Sequence, residues 1–118
     1  MTERSYAPYS GVRVGAAAVC ADGSVVTGCN VENASTGIGV CAEVTLAASM
    51  VAGGGGRLVA MAVLAGDGEP ISPCGRCRQF LYEFGGDEML IETASGVVTL
   101  GQLLPQAFGP EDIEGRAG

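Results

Sequence analysis

The chain contains no His, no Lys and no Trp among its 118 residues. The missing His excludes every mechanism that uses an imidazole as base, nucleophile partner or metal ligand. Cations are scarce: Lys+Arg is 6, all of them Arg, against Asp+Glu 13, and the formal charge is −7 at pH 7. That balance argues against nucleic acid as a partner, because duplex affinity comes from cations clustered over phosphates. No apolar run suits a bilayer span; the longest weakly polar stretch, Val40 to Val51, is short and holds Glu43. The N-terminal MTERSYAPYS carries a carboxylate and no apolar centre, so it does not read as a secretory signal.

What is present is a small, apolar chain. Hydrophobic residues make up 47% and charged residues 16%, which excludes acid-rich disorder and fits a single domain over residues 1–118. Five cysteines are an odd number, so a complete intrachain disulfide framework is impossible. A reducing, cytoplasmic setting is the expectation. There, unpaired cysteines act as metal ligands or as small buried hydrophobes.

Along the chain, Val12 to Cys20 and Val25 to Val31 are apolar runs joined through Asp22-Gly23, a hairpin signal. Glu32 to Gly39 reads as a loop and Cys41 to Val51, rich in Ala, Leu and Met, as a helix stopped by Gly53 to Gly56. Leu58 to Leu64 is a continuous apolar run suited to a strand covered on both faces. A second helix spans Cys74 to Phe84 and stops at Gly85-Gly86. Met89 to Ile91 and Val97 to Leu100 are short strands, Leu100 to Leu104 is a helical turn, and the polar tail from Glu111 to Gly118 is expected to fray. The order ββ-α-β-α-β predicts a mixed sheet sandwiched by helices.

Chemistry concentrates in the cysteines. Cys41-Ala42-Glu43 lies where a loop becomes a helix, and Pro73-Cys74-Gly75-Arg76-Cys77 opens the next one. A cysteine at a helix N-terminus faces the positive end of the dipole and ionises more easily. Cys74 and Cys77, three apart, share a helix face, and Cys41 can add a third thiolate. Three protein ligands leave the fourth zinc position open to water, and Glu43 is placed to move that water's protons. A lone C-x-x-C also serves as a structural zinc knuckle or a redox pair. A fourth ligand from Cys20 or Cys29 would close the site, but both fall inside predicted strands and are expected as small core residues.

These motifs match the zinc-deaminase signature, with Cys replacing His as first ligand. The resemblance is closest to the small cytidine deaminases. It rests on Tyr6-Ala7-Pro8-Tyr9-Ser10, Val14-Gly15-Ala16-Ala17, Gly28-Cys29-Asn30-Val31-Glu32-Asn33-Ala34 and Ser72-Pro73-Cys74-Gly75-Arg76-Cys77-Arg78-Gln79. Leu103-Leu104-Pro105 and Phe108-Gly109-Pro110-Glu111-Asp112 extend it, so it runs from Tyr6 to about Ile113. The resemblance implies an α/β fold, a three-layer α-β-α sandwich around a mixed five-stranded sheet. It implies hydrolytic deamination of cytidine and deoxycytidine in pyrimidine salvage, with one Zn2+ per chain held by Cys41, Cys74 and Cys77. Glu43 becomes the proton shuttle, the Asn30-x-Glu32 pair the ribose-binding pair, and the Ala42 backbone a contact to the base. Strand residues two apart do share a face, and Glu accepts while Asn both donates and accepts. A homotetramer is implied, with Phe108 stacking on a neighbouring subunit's bound base.

Four departures from the family pattern are visible. The helix that usually precedes Tyr-x-Pro-Tyr-Ser is reduced to Met1 to Ser5, which is expected to expose apolar surface or shift burial to the oligomer. Val12 stands where an aromatic is usual, which is expected to loosen packing around the nucleoside or open the pocket. Val44 follows Cys-Ala-Glu where many members have Arg, leaving a zinc trithiolate with net charge −1; Arg76 is the candidate for offsetting that charge. Val44-Thr45-Leu46 also resembles blasticidin-type deaminases, so another cytosine-nucleoside substrate is an alternative, and a non-catalytic protein with structural zinc is a second.

Overall fold

Two small-residue runs fold back on each other in a computed structural model that describes residues 1–114 and 116. Strands β1 (Val14–Cys20) and β2 (Val25–Cys29) pair antiparallel with Ala17 opposite Thr27. Their turn is the expected Asp22-Gly23: the Asp22 carboxylate accepts from the Ser24 N–H at 2.9 Å, and Gly23 takes φ 86°. β1 begins at Val14 rather than Val12, because the Val14 N–H goes to the Asn30 side chain instead of a neighbouring strand. Helix α1 (Ala42–Gly53) follows and ends on Gly54, whose positive φ of 73° lets its N–H reach the carbonyls of Met50 and Val51.

Strand β3 (Leu58–Ala65) pairs antiparallel with β1 and parallel with β4 (Leu90–Thr93). Helix α2 (Gly75–Gly85) lies between β3 and β4 in the chain, as a parallel crossover requires. β5 (Gly96–Thr99) closes the other edge, giving the order β2-β1-β3-β4-β5 and the expected mixed five-stranded sheet. Two short helices end the described chain. α3 (Leu100–Leu103) opens on a Thr99/Gln102 capping box, and α4 (Pro110–Ile113) occupies the start of the segment expected to fray. Residues 115, 117 and 118 of that tail lie outside the described residues.

One face of the sheet carries the core. Ala16, Ala18, Cys20, Met61, Val63 and Ile91 alternate inward and meet Leu46, Ala47 and Met50 of α1, Leu81 of α2 and Leu100 of α3. Each fully buried Leu, Met or Ile there contributes about 1.5–3 kcal/mol. The opposite face is bare over most of its area: Val19, Val25, Leu64, Leu90 and Val97 are exposed, Val97 at 64%. Among the described residues, a 3₁₀ turn at Thr2–Arg4 lies over it, above Gly15, and that turn is what stands on this side of the sheet. The reading of β3 as covered on both faces is corrected accordingly: Val59 and Leu64 are exposed, because β3 is central in the sheet yet packed from one side. Cys20 is in the core as expected. Cys29 is not: it is half-buried on the bare face, its thiol 3.5 Å from the Arg4 carbonyl. Among the described residues, no helix is long and apolar enough to cross a membrane.

Candidate metal centre

Cys41 is the N-cap of α1 and Cys74 the N-cap of α2, and the two helices pack against each other. The packing brings the Sγ atoms of Cys41, Cys74 and Cys77 within 4.8 Å of one another, while Cys20 and Cys29 stand outside the group. Cys77 sits one turn into α2, fully buried, and its N–H donates to Cys74 Sγ at 3.4 Å. Burial pushes the thiol of Cys41 up. Burial also drives Cys77 far above the ordinary thiol range, with the Glu43 charge and the two neighbouring thiols adding to it. Cys74 behaves differently. Burial opposes its ionisation, but the Cys77 N–H, the Cys77 thiol and the Arg76 N–H outweigh that, and its pKa falls.

Three thiols so crowded at two helix starts are a donor set that fits a divalent cation such as zinc, which binds them as thiolates. Tetrahedral zinc with sulfur at about 2.3 Å separates its sulfurs by roughly 3.8 Å, a small contraction from the spacing seen. The two helix N-termini add positive potential at the same point.

Glu43, in the first turn of α1, is buried at 4% exposure, and burial raises its carboxyl pKa. It opens with Ala42, Cys41, Cys74 and Arg76 onto a cavity of about 500 Å3, within the ordinary size of a small-molecule site. Asn30 and Glu32 line the same cavity, with Tyr9, Ser10, Val14, Ile71 and Ser72. Both polar side chains are already engaged. The Asn30 amide accepts from the Val14 N–H at 2.9 Å and donates to the Val12 carbonyl at 2.8 Å. The Glu32 carboxylate accepts from the N–H groups of Tyr9 at 3.0 Å and Ser10 at 3.2 Å, and from the Ser10 hydroxyl. The Ser10 hydroxyl and those N–H groups outweigh the little burial Glu32 has, and its pKa is lowered.

The remaining expected residues are placed as follows. Arg76 lines the cavity from an exposed position, and its backbone N–H faces Cys74. Arg78 turns away, donating to the carbonyls of Pro73 at 2.8 Å and Leu103 at 3.0 Å. Phe108 is 58% exposed and outside the cavity of its own chain, its carbonyl accepting from Gln79. Val12 is also exposed and outside the cavity; Val14, Val31 and Val40 are the valines in its wall.

Sequence reasoning missed one clamp. Thr45 Oγ1 accepts from the Cys29 N–H at 3.1 Å and lies 2.9 Å from the Cys29 carbonyl and 3.0 Å from that of Ala42. It bolts α1 to the end of β2, so the Glu43 turn and the Asn30–Glu32 segment are held in one register. Gly28 permits the approach, since a Cβ there would lie 2.4 Å from the Ala42 carbonyl oxygen. A Thr set against a Gly about seventeen residues earlier has no local signature.

Residues 1–93 match the family described as the cytidine and deoxycytidylate deaminase zinc-binding region. The chain is 52% identical over 109 residues to a cytidine deaminase of Mycobacterium tuberculosis, covering 92% of this chain and 82% of that protein. It is 40% identical over 116 residues to a cytidine deaminase of Sporosarcina psychrophila, covering 94% and 85%. A crystal structure of cytidine deaminase from Mycobacterium leprae superposes with a TM-score of 0.87 at 53% identity, covering 89% of this chain and 88% of that one.

Proposed function

The chain belongs to the cytidine and deoxycytidylate deaminase family, and from that premise we infer that it hydrolyses cytidine to uridine and ammonia. It is a zinc-dependent hydrolase with one Zn2+, acting on a small-molecule nucleoside. The observation that carries the reading is a cluster of three thiols of which two, Cys41 and Cys74, open together with the buried Glu43 carboxylate onto one nucleoside-sized cavity.

Cys41, Cys74 and Cys77 would hold the ion. Zinc bound there supplies Lewis acidity, which makes water a nucleophile near neutral pH. Glu43, set two residues after Cys41 and opening onto the same cavity, accepts the first proton of the attacking water at its carboxylate and gives it to the ring nitrogen. It then takes the second proton from the hydroxyl added to the base and gives it to the amino group, which departs as ammonia. The Ala42 backbone contacts the base, and Asn30 and Glu32 take sugar hydroxyls. Their engagement with residues 9–14 supports this, because it leaves each side chain oriented with spare capacity. Arg76, the cationic side chain among the described residues lining the cavity, offsets the trithiolate charge. The exposure of Phe108 suits stacking on a neighbouring subunit's base within a homotetramer. Deoxycytidine is accepted as well, in pyrimidine salvage, and the unpaired cysteines suit the cytoplasm.

The test is an ultraviolet deamination assay across cytidine, deoxycytidine, cytosine and blasticidin S, with zinc measured on the same sample. Cytidine is expected to turn over with about one zinc per chain. Glu43→Gln is expected to keep its zinc and lose on the order of 10²–10⁴ in kcat. Full zinc with no turnover of any substrate would make the site structural, and preference for blasticidin S would move the substrate class.

A further inference from the structure

The Glu32 carboxylate has about four acceptor sites, two on each oxygen. Oε1 takes the N–H groups of Tyr9 and Ser10, and Oε2 takes the Ser10 hydroxyl. One lone pair on Oε2 is left. The Ser10 Oγ that donates to Glu32 is itself oriented, since it accepts from the Val12 N–H at 3.0 Å. Val12 in turn offers its carbonyl to Asn30. The two polar residues of the cavity are thus joined through one short segment, Glu32 to Ser10 to Val12 to Asn30. Asn30 keeps one N–H and one lone pair free after its bonds to Val12 and Val14.

We propose that Ser10 is a positioning residue that presents a single acceptor of Glu32 to one sugar hydroxyl and so sets how strongly the enzyme discriminates between nucleosides that carry that hydroxyl and those that lack it. The proposal rests on the assignment of Glu32 to the sugar. A buried or semi-buried site built to bond a hydroxyl rejects the analogue without it, because the protein group is left unpaired. That rejection is sharp only where the group cannot turn to find another partner. Ser10 supplies the restraint: its hydroxyl holds the one oxygen that the backbone N–H groups leave free. Removing it lets Oε2 swing to water, and the bond to the sugar weakens while the metal centre keeps its ligands, because the Ser10 hydroxyl bonds to Glu32 and Val12 and to none of the three cysteines. The depressed pKa of Glu32 supports this, because the carboxylate stays an acceptor at neutral pH.

The experiment compares the zinc-loaded wild type, Ser10→Ala, Ser10→Thr and Glu32→Gln on cytidine, deoxycytidine and dideoxycytidine, with thermal unfolding and zinc content as checks on folding. Ser10→Ala is expected to raise KM for cytidine about tenfold with kcat within about twofold, and to change dideoxycytidine less than about twofold. Ser10→Thr, which keeps the hydroxyl, is expected to restore cytidine to within about threefold of wild type. Equal loss on all three substrates, or a loss in kcat rather than KM, overturns the proposal. If Glu32→Gln erases the discrimination while Ser10→Ala preserves it, the sugar assignment stands and Ser10 is a bystander. If Glu32→Gln also leaves the discrimination intact, the sugar assignment itself is wrong and the proposal falls with it.

Discussion

Gly28→Ala puts one methyl group where α1 meets β2. The new Cβ would lie 2.4 Å from the Ala42 carbonyl oxygen, 2.6 Å from the Leu46 nitrogen and 2.6 Å from Thr45 Oγ1, against an ordinary contact of 3.4 Å or more. The first two atoms are helix backbone, so no rotamer change relieves them, and α1 must recede by about 1 Å. Overpacking of this kind costs about 1–3 kcal/mol, and the backbone collision places it at the upper end. Reduced chain entropy in the unfolded state returns about 0.4–1 kcal/mol, leaving roughly 2 kcal/mol and a fall in Tm of about 10 °C. The receding turn carries Cys41 and Glu43, and a misplacement near 1 Å can remove about a hundredfold in rate. Gly37→Ala is the control, because nothing lies within 4 Å of its Cβ position and its φ is not positive. Thermal unfolding, zinc content and kcat/KM on cytidine are measured for both. If Gly28→Ala matches Gly37→Ala in Tm and in kcat/KM, the register argument is wrong.

Cys41→Ser, Cys74→Ser and Cys77→Ser should each retain less than about a tenth of the wild-type zinc, whereas Cys20→Ala should keep it and lose only stability, as atomic absorption on dialysed protein would show. Glu32 has a folded pKa below its ordinary value, so the stability it contributes is complete above that ordinary value and is lost as pH falls through the depressed one. Circular dichroism of acid unfolding should therefore show a shallower decline for Glu32→Gln across that window; superimposable acid limbs would refute the hold of Glu32 on Tyr9 and Ser10.

The metal centre was legible because its information is local. Cys41 and Cys74 stand at helix starts, Cys77 follows one turn later and Glu43 two residues after Cys41, so helix boundaries alone bring the chemistry to the helix ends. The sheet was legible for the same reason at Asp22-Gly23, where the turn chemistry sets the hairpin. What stayed hidden depends on partners far along the chain. The bonds that occupy Asn30 and Glu32 come from residues 16 to 23 positions away, and nothing in Asn-x-Glu announces them. Thr45 looks like an unremarkable mid-helix Thr until Gly28 is seen beneath it. The run Leu58 to Ala65 reads as two-sided because periodicity reports apolar faces, not whether this chain covers both. Cys29 reads as a core residue for the same reason, although its thiol faces the N-terminal turn at the Arg4 carbonyl.

The charge at the metal centre leads to a prediction about Arg76. Three thiolates leave bound zinc at −1, and Glu43 and Glu32 open onto the same cavity. Without His, no neutral ligand dilutes that charge. Two sources of positive potential are present. The N-termini of α1 and α2 each carry roughly half a charge, and together they offset about one unit at the point where the sulfurs meet. The charge of Arg76 is the second, but the residue stands exposed at the cavity wall, and what addresses Cys74 from it is its backbone N–H. The helix ends survive any side-chain substitution, so Arg76→Ala should speed zinc loss to a chelator by about tenfold rather than abolish binding. Being exposed, the effect should shrink as salt rises from about 0.01 M to 1 M, where the screening length falls from about 30 Å to 3 Å. Arg76→Lys should recover most of the loss if charge is what matters, and little if the planar guanidinium is. An Arg76→Ala protein with unchanged rate, unchanged zinc and no salt dependence would leave the helix ends as the whole of the compensation.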